Sequence, residues 1–549
     1  MKKVLSAVTA LAIAGTGAAV VTTGAHAAPT QADSPSAVTG PAAPDARAHS
    51  YTPPAIAWGQ CKDPRLQNAG AECGFVTVPL DYAKPTGSKI KLAVSKIAAD
   101  PDVRYQGATL VNPGGPGGSG LSLSRLGAAI PKDAGAGYDW IGFDPRGVGS
   151  SQPAMTCDPT ITAPVRPYYT PTNAERLRAW QKKTGDYAKD CGAKNAALLP
   201  YLRSSATVDD MESIRKALGR YQLNFYGFSY GTYIGQLYAS KYPVRVRRFV
   251  LDGVIDTSKA WYQGNLDQNI AFEKSMRAWF NYIARNDDVY GLGTDGQQVR
   301  ADWYAIRARL ASRPQPGLGA SEWTDVFLSA GYYVYDWDYL AQVFIAASEG
   351  DFAPAAEEYA AANPQTAGSD NGYAVYLGVQ CTDAPWPKDW ATWSKDGWFT
   401  HKAAPFESWG NMWFNNPCRT WPTASGPRTA VDGTRAPGMM LIAETNDAAT
   451  PFSGARATRL RFPKSVLIEG KGGTTHSGSL SGVACTDDRI ADYLLTGALP
   501  ARKAGNTSDV LCDPVPAPEA TSPNARAGAV SKGLKNREIR EMINEARAF

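Results

Sequence analysis

The sequence predicts an α/β protein in which helices cover both faces of a mostly parallel sheet and a large helical cap is inserted. Strand-like and helix-like segments alternate from Cys73 to Asp252, which is typical of a parallel sheet. Residues 255–436 then show helices and long loops without clear buried strands. Strand character resumes at 438–443 and 465–469, so this helical block lies between two strands of one sheet.

Residues 1–27 have the pattern of a secretory signal peptide. Two lysines precede an apolar run that ends at Val21, and Ala25-His26-Ala27 fits the small-residue cleavage rule. A membrane anchor is the alternative, but glycines interrupt the run and no charged stop follows it. Residues 28–50 are rich in Ala, Pro, Ser and Thr and are expected to be a disordered leader or pro-segment. We therefore expect a secreted, extracellular protein that has no membrane attachment after cleavage.

Composition narrows the function classes. The hydrophobic fraction of 44% is that of a globular protein with a large core. The net charge is +5, two units of which lie in the signal peptide, and no basic stripe is visible, so a nucleic-acid partner is not expected. No other segment reaches membrane-spanning length. We expect a monomer.

Eight cysteines follow the signal peptide, and an even count in an exported chain favours disulfides. The chain has no CxxC and only four histidines, so a zinc cluster is not expected. We expect no metal site and no cofactor. Sequence alone cannot choose among the pairings. Pairing in sequence order closes only short loops and is our hypothesis: Cys61–Cys73, Cys157–Cys191, Cys381–Cys418 and Cys485–Cys512.

The domains and elements are expected in the following order. The sheet domain comprises residues 51–254 and 437–512, the helical cap 255–436 and the tail 513–549. Strands are expected at 74–80 and 89–95, as an antiparallel pair, and then at 108–112, 138–144, 223–226 and 248–252. A helix is expected over 207–219, because Thr207 can cap it, acids fill its first turn and Gly219 can end it. The Pro- and Ala-rich tail can form a helix after residue 530, and we expect it to be loosely attached and without a catalytic role.

The cap holds twelve of the fifteen tryptophans. These aromatic side chains can line a substrate cleft, or they can form the core of a helical subdomain. For any single tryptophan the second interpretation is favoured.

A candidate nucleophile stands in Gly227-Phe-Ser229-Tyr-Gly231, which fits the G-x-S-x-G pattern. A serine hydroxyl attacks well only if a sharp strand-to-helix turn lifts it clear of the backbone, and the glycines allow strand and helix to approach behind it. Chance is the alternative in a glycine-rich chain, but a strand precedes the motif and a helix follows it. We therefore interpret Ser229 as the nucleophile.

The base must be a histidine, and the chain has four. His26 leaves with the signal peptide and His49 lies in the leader. His401 lies in the cap, where a surface or packing role is expected. His476 lies in a glycine-rich loop directly after a strand, where a base can reach over the edge of the sheet, so it is our candidate.

The orienting acid is expected after a strand and before His476. Asp447 fits, because it follows the strand at 439–443 and precedes Thr450-Pro451, which can open a helix. Glu444 is a competitor but is expected at the strand end and misdirected. Asp252, after the strand that follows the nucleophile, is a second competitor for which turn hydrogen bonds are the alternative.

The oxyanion hole needs two backbone N–H groups near the nucleophile. One is expected from Tyr230, and the other from Gly114 or Gly115 in the glycine loop after Asn112. A glycine-rich loop can also cradle phosphate, but the lysine of a P-loop is absent and the G-x-G-x-x-G spacing is not convincing.

Five features resemble the α/β-hydrolase peptidases of the prolyl aminopeptidase type: Pro113-Gly-Gly-Pro-Gly117, Asp144-Pro-Arg-Gly-Val-Gly-Ser150, Gly227-Phe-Ser-Tyr-Gly231, Asp447 and His476. The exported form, the cysteines and the large cap are most similar to the tripeptidyl aminopeptidases that actinomycete bacteria secrete. The resemblance covers residues 57–512. It departs at the glycine loop, where Pro113 stands at a place that often holds histidine, although the backbone donors remain.

The resemblance implies a serine exopeptidase that removes short peptides, often tripeptides, from free N-termini of peptides or unfolded proteins. The family anchors the substrate amine with acids around the cap, and none can be matched here residue by residue. Asp383 is a candidate, with a structural role beside a disulfide as the alternative. A carboxylic-ester hydrolase with the same triad and a non-catalytic binding protein are the other function classes, and the complete set of Ser, Asp and His argues against the latter.

Overall fold

A ten-stranded sheet organises the computed structural model, which describes residues 50–522. The strand order is β1-β2-β3-β5-β4-β6-β7-β8-β9-β10. The strands are β1 (Gly59–Gln60), β2 (Glu72–Pro79), β3 (Lys89–Ile97), β4 (Gly107–Asn112), β5 (Tyr138–Phe143), β6 (Leu223–Phe228), β7 (Val246–Asp252), β8 (Met440–Glu444), β9 (Val466–Gly470) and β10 (Val510–Cys512). β1, β2 and β3 pair antiparallel, β3 pairs antiparallel with β5, and all later pairs are parallel. The predicted signal peptide and leader, and the tail from residue 523, lie outside the described residues.

The central strands of the sheet are buried on both faces. Every residue of β6 and β8 is buried, as expected for parallel strands that helices cover on both sides. The helices of the sheet domain are α1 (Pro64–Asn68), α2 (Ala174–Asn195), α3 (Ser204–Ala217), α4 (Tyr230–Lys241), α15 (Ser453–Arg461) and α16 (Ala484–Thr496). The carboxyl ends of the parallel strands therefore share one edge, where the loops after β4, β6, β8 and β9 meet.

Ten α-helices and three short 3-10 helices occupy the chain between β7 and β8, and no strand lies among the described residues of this stretch. The α-helices are α5 (Tyr262–Arg285), α6 (Asp287–Tyr290), α7 (Gly296–Ser312), α8 (Ala320–Val326), α9 (Leu328–Tyr332), α10 (Trp337–Ser348), α11 (Ala353–Ala362), α12 (Ala367–Asp383), α13 (Trp390–Ala403) and α14 (Ser408–Asn415). Six tryptophans of this helical block are almost inaccessible to solvent: Trp279, Trp303, Trp323, Trp393, Trp409 and Trp413. The aromatic residues of the block therefore mainly form hydrophobic core.

Helix α3 begins three residues before the predicted start. The prediction placed the cap at Thr207, but α3 begins at Ser204. The reason is a distant partner: the Ser204 N–H donates to the carboxylate of Asp383, at the end of α12, over 2.7 Å. Capping from another part of the chain is invisible to a local pattern. The end of the helix is as expected, because Gly219 has the left-handed φ of 65°.

The first part of the tail is not loosely attached, which corrects the prediction for residues 513–522. Val515 is 5% exposed and packs in the core of the helical block. The Thr521 N–H and hydroxyl both donate to Asp338 at the start of α10, at 2.9 and 2.6 Å. Loss of solvent-exposed apolar surface and these hydrogen bonds hold the segment in place.

Four disulfides join the cysteines in sequence order, which are the pairs of our hypothesis: Cys61–Cys73, Cys157–Cys191, Cys381–Cys418 and Cys485–Cys512. Their Cα–Cα distances lie between 4.5 and 5.5 Å, within the range of ordinary disulfides. Among residues 50–522, no helix is both long enough and apolar enough to cross a membrane.

Candidate active site

Ser229 occupies a sharp turn between β6 and α4. Its backbone angles, φ 54° and ψ −122°, lie in a region that L-residues rarely adopt, which is the strain expected of a nucleophile elbow. A Cβ on Gly227 would lie 2.8 Å from the carbonyl of Gly231, and one on Gly231 would lie 2.7 Å from the carbonyl of Asn112. Only glycine allows strand and helix to approach so closely, so the motif folds as its sequence predicts.

The structure brings His476 and Asp447 together at the carboxyl edge of the sheet. The Nδ1 of His476 lies 3.0 and 2.9 Å from the two carboxylate oxygens of Asp447. The two residues are 2% and 1% exposed, so water does not compete for this contact. Thr450 fixes the carboxylate, because its N–H donates over 2.9 Å and its hydroxyl over 2.8 Å. Asp447 is thus placed to orient the imidazole, as an acid of a triad does.

The strand β7 connects the two halves of the site. The Ser229 N–H donates to the carbonyl of Asp252 over 2.9 Å. A Cβ on the next residue, Gly253, would lie 2.8 Å from Cε1 of His476. The imidazole therefore packs on the same backbone turn that holds the nucleophile.

Neither competing acid contacts the imidazole by a hydrogen bond. The carboxylate of Asp252 accepts from the N–H of Ser479 over 2.9 Å and from its hydroxyl, and burial raises the pKa of Asp252 to about 6. The carboxylate of Glu444 accepts from the N–H groups of Thr475 and Val515. Both acids shape loops around the site, and sequence reasoning gave no sign of the bonds that Glu444 makes.

His401 lies on α13 in the helical block, with its ring against Trp398, and has no part in this cluster. Burial and the nearby Arg307 lower the pKa of His401 to about 4, so it stays neutral at physiological pH. This is the packing role that the sequence suggested.

The glycine loop after β4 lies directly against the nucleophile. A Cβ on Gly114 would lie 2.8 Å from the Cβ of Ser229 and 3.0 Å from the nitrogen of Tyr230. The N–H of Gly114 donates to the side chain of Asn112 over 3.1 Å. Of the two loop glycines, Gly115 is therefore the better candidate to offer its N–H, together with Tyr230, to an oxyanion.

The second glycine-rich motif, at residues 144–150, supports this loop. Asp144 is completely buried and accepts from the Ser119 hydroxyl over 2.6 Å, from the Gly120 N–H and from the Ser150 N–H. Burial raises the pKa of Asp144 to about 6. The motif thus ties the end of the glycine loop to the turn after β5, a role that only the folded structure reveals.

The helical block contacts the loop of the candidate base and the loop of the candidate acid. The carbonyl of Tyr332, at the end of α9, accepts from the His476 N–H over 2.8 Å, and the two rings pack edge to face at 5.8 Å. From α5, Gln268 donates to the carbonyl of Ala449 over 2.6 Å, and Ser275 donates to the carbonyl of Asn446. The block is therefore bonded to both loops that carry the candidate base and acid.

Asp383 lies close to the nucleophile, but its carboxylate is already hydrogen-bonded to other residues of the protein. It accepts from Ser204, as described for α3, and from the indole of Trp261 over 3.2 Å. The hydroxyl of Ser204 lies 2.7 Å from that of Tyr230. The carboxylate of Asp383 therefore links α3, α5 and Tyr230. This is a structural role, and it leaves Asp383 little capacity to bind a substrate amine.

Comparisons with known proteins agree with this architecture and with the predicted fold. A family model described as alpha/beta hydrolase fold matches residues 109–298, and one described as TAP-like protein matches residues 404–512. The tripeptidyl aminopeptidase of Streptomyces coelicolor is 39% identical over 472 residues, which cover 84% of this chain and 86% of that protein. Two proteins of Mycobacterium tuberculosis, carboxylesterase B and the serine protease Hip1, are 30% and 27% identical over 475 residues, which cover 81% of this chain and 89% of each of them. The chain therefore belongs to the tripeptidyl aminopeptidase-like (TAP-like) family of α/β-hydrolases and is a serine hydrolase.

Proposed function

We propose that this protein is a secreted exopeptidase that releases short peptides, tripeptides in particular, from free N-termini through an acyl-enzyme on Ser229. The observation that carries the proposal is the contact of the helical block with the loops of His476 and Asp447. In the proposal, a helical block that contacts both of these loops limits access to Ser229, so that a thin chain end can enter and a folded chain cannot. The similarity to a tripeptidyl aminopeptidase supports the choice of the N-terminal end and the product length.

The chemistry assigns one task to each group. Ser229 Oγ attacks the carbonyl of the scissile peptide bond while Nε2 of His476 takes its proton, and Asp447 holds the imidazole in the required orientation. The N–H groups of Gly115 and Tyr230 stabilise the oxyanion. Protonated His476 then gives its proton to the leaving amine, which leaves an acyl-enzyme. Water repeats the sequence and releases the short N-terminal product.

A buried ammonium group needs a carboxylate partner, because an unpaired buried charge is costly. Glu407, directly before α14, is the candidate that we propose: its Oε2 is buried and has no hydrogen-bond partner among the described residues. Burial and the nearby Asp325 raise the pKa of Glu407 to about 8. One turn later, Asn411 donates to the carbonyl of Asn265 and to Asn269 on α5, the helix that also borders the acid loop. The proposal places Glu407 on the side of the block that faces the substrate.

Secretion is supported by the N-terminal sequence pattern and by the disulfides. Disulfides persist in oxidising compartments and are rare in the cytosol. The described residues contain no free cysteine. N-terminal sequencing of protein from culture medium would test the expected cleavage after Ala27.

The function is tested with matched chromogenic substrates. A tripeptide p-nitroanilide with a free amine should be hydrolysed faster than its mono- and dipeptide counterparts, and acetylation of the amine should lower kcat/KM by orders of magnitude. An internally quenched longer peptide should be cut only near its N-terminus. Equal rates on the free and acetylated tripeptides would exclude the exopeptidase.

Carboxylic-ester hydrolysis is the second candidate, because it uses the same three side chains and one relative is named carboxylesterase B. An ester hydrolase needs no partner for an amine. Fast hydrolysis of p-nitrophenyl butyrate without amide cleavage would favour it over the peptidase.

A further inference from the structure

One buried carboxylate joins the loop of the candidate base to the C-terminal segment, which we define as residues 513–522. Glu444 is the last residue of β8 and is 5% exposed. Its Oε2 accepts from the Thr475 N–H over 2.6 Å, and its Oε1 accepts from the Val515 N–H over 2.7 Å. Thr475 directly precedes His476. A displacement of Glu444 would therefore act on the backbone that carries the imidazole.

The loop that carries His476 packs closely against Glu444 and Val515. Gly473 passes so close to the carboxylate of Glu444 that no side chain would fit there. A Cβ on Gly478 would lie 2.9 Å from a methyl group of Val515. Both glycines flank His476, so the loop encloses the carboxylate on one side and the C-terminal segment on the other.

The helical block also binds Thr475 and His476. The His476 N–H donates to Tyr332, as described, and the Val334 N–H donates to the hydroxyl of Thr475 over 3.3 Å. The position of the imidazole thus depends on three parts of the chain: β8 through Glu444, the helical block, and the C-terminal segment.

The C-terminal segment itself is anchored at both ends. Directly before it, Cys512 is bonded to Cys485, and the carbonyl of Cys512 accepts from the Lys471 N–H over 3.0 Å. Farther on, the carbonyl of Pro518 accepts from the hydroxyl of Tyr282 over 3.2 Å, and Thr521 is bound to α10. The segment therefore spans from the edge of the sheet to the helical block, with Val515 between these anchors.

Glu444 receives no hydrogen bond from a cationic side chain among the described residues, so its two backbone donors matter. Burial raises the pKa of Glu444 to about 8, and the nearby carboxylates of Asp447 and Asp252 add to this effect. A carboxyl group in such a site is sensitive to the loss of either donor. Without the Val515 N–H, Oε1 of Glu444 has no hydrogen-bond donor among residues 50–522, and the side chain can turn away from Thr475.

We propose that Glu444 and the C-terminal segment form a positioning device for His476, in which the Val515 N–H holds the carboxylate and the carboxylate holds the Thr475–His476 backbone. The inference rests on the proposed role of His476 as the base. It assigns to the C-terminal segment a function in the chemical step, which Val515 exerts through Glu444.

The test removes one hydrogen-bond donor. Val515 lies between Pro514 and Pro516, so Val515→Pro suits a proline-rich stretch; it removes the N–H and also replaces the isopropyl group by a ring. Val515→Ala keeps the N–H and trims the side chain, so it reports the effect of the side chain alone. Displacement of a base by about 1 Å can lower kcat up to roughly a hundredfold. We expect Val515→Pro to lower kcat tenfold or more per active site titrated with a serine-directed phosphonate, with KM unchanged within about twofold. Val515→Ala should stay close to wild type.

Variants of Glu444 test the connection. Glu444→Ala should lower kcat as Val515→Pro does, and Glu444→Gln, which can accept only one of the two bonds, should fall between. If the segment acts through Glu444, the double variant Glu444→Ala/Val515→Pro should lose no more than the stronger single variant. Normal kcat per titrated site in Val515→Pro, a change in KM alone, or losses that multiply in the double variant would overturn the inference.

Failure of this inference is distinguishable from failure of the proposed function. The same base serves amide and ester hydrolysis, so the loss in Val515→Pro should appear on p-nitrophenyl butyrate as well as on a peptide p-nitroanilide. Near-normal turnover of a folded His476→Ala protein would reject the proposed base itself, whatever the tail variants do.

Discussion

Asp447 Oδ2 lies 2.9 Å from Nδ1 of His476, and Thr450 donates two hydrogen bonds to the same carboxylate. The acid can therefore neither rotate away nor turn its other face to the imidazole. Asp252 lies nearby, but its carboxylate is turned to Ser479. These bonds distinguish one acid from the other and lead to the first prediction.

Ser229→Ala should lower kcat on a tripeptide p-nitroanilide on the order of a million-fold, because the nucleophile is lost. Asp447→Asn should cost about ten-thousandfold, because the amide no longer holds the required imidazole tautomer. Asp252→Asn is the matched control and should retain much more activity. Full activity in Asp447→Asn with loss in Asp252→Asn would show that the acid assignment is wrong, while labelling of Ser229 by a phosphonate tests the nucleophile independently.

Gly253→Ala should displace the base. The new Cβ would lie 2.8 Å from Cε1 of His476 and 2.6 Å from the Ser477 hydroxyl, so kcat should fall roughly tenfold to a hundredfold. Gly253 has a φ of 72°, so backbone strain alone must be measured too. Gly472→Ala supplies that control, because Gly472 has a φ of 82° in the base loop and nothing within 4 Å of the new Cβ. Equal losses in the two variants would assign the effect to strain.

The four disulfides should be found in the exported protein by peptide mapping without reduction. Each closes a loop that contributes roughly 3–4 kcal/mol in the chain-entropy model. Reduction should therefore lower Tm. The largest contribution to this fall is expected from the bridge Cys381–Cys418, which joins α12 to the turn after α14. Free thiols or crossed pairs in the map would contradict the pairing.

Local patterns were sufficient to predict the parallel sheet, the insertion between β7 and β8, and the candidate residues Ser229 and His476. Strand alternation and the G-x-S-x-G motif depend on neighbouring residues, and four histidines left few candidates for the base. Asp447 required one further assumption, the order of the three side chains along the chain.

The features that the sequence did not predict depend on contacts between distant residues. The start of α3 is set by Asp383, 179 positions away from Ser204. Residues 513–522 are held in place because Val515 packs in the core of the helical block and Thr521 donates to Asp338. Glu444 was considered only as a rival acid, and its bonds to Thr475 and Val515 span 31 and 71 positions. A pattern within one window cannot indicate such partners.

Glu407→Gln should separate amine binding from catalysis. The pKa of Glu407 is raised to about 8, so near neutral pH the free enzyme carries mainly the neutral carboxyl, which glutamine imitates, and Tm should change little. A substrate ammonium favours the ionised carboxylate, which glutamine cannot supply. Loss of such a buried ion pair costs at least about 2 kcal/mol, so kcat/KM for the free-amine tripeptide should fall roughly thirtyfold or more.

The acetylated tripeptide provides the internal control, because it has no charge for Glu407 to meet. Its already low rate should be unchanged in Glu407→Gln, so the difference between the two substrates should shrink. Glu349→Gln makes the same substitution at an exposed position of the helical block and should leave both rates unchanged, which shows that the effect belongs to the site of Glu407. A parallel fall on both substrates would mean that Glu407 shapes the site without binding the amine. An unchanged rate on the free amine would assign the ammonium partner to another carboxylate.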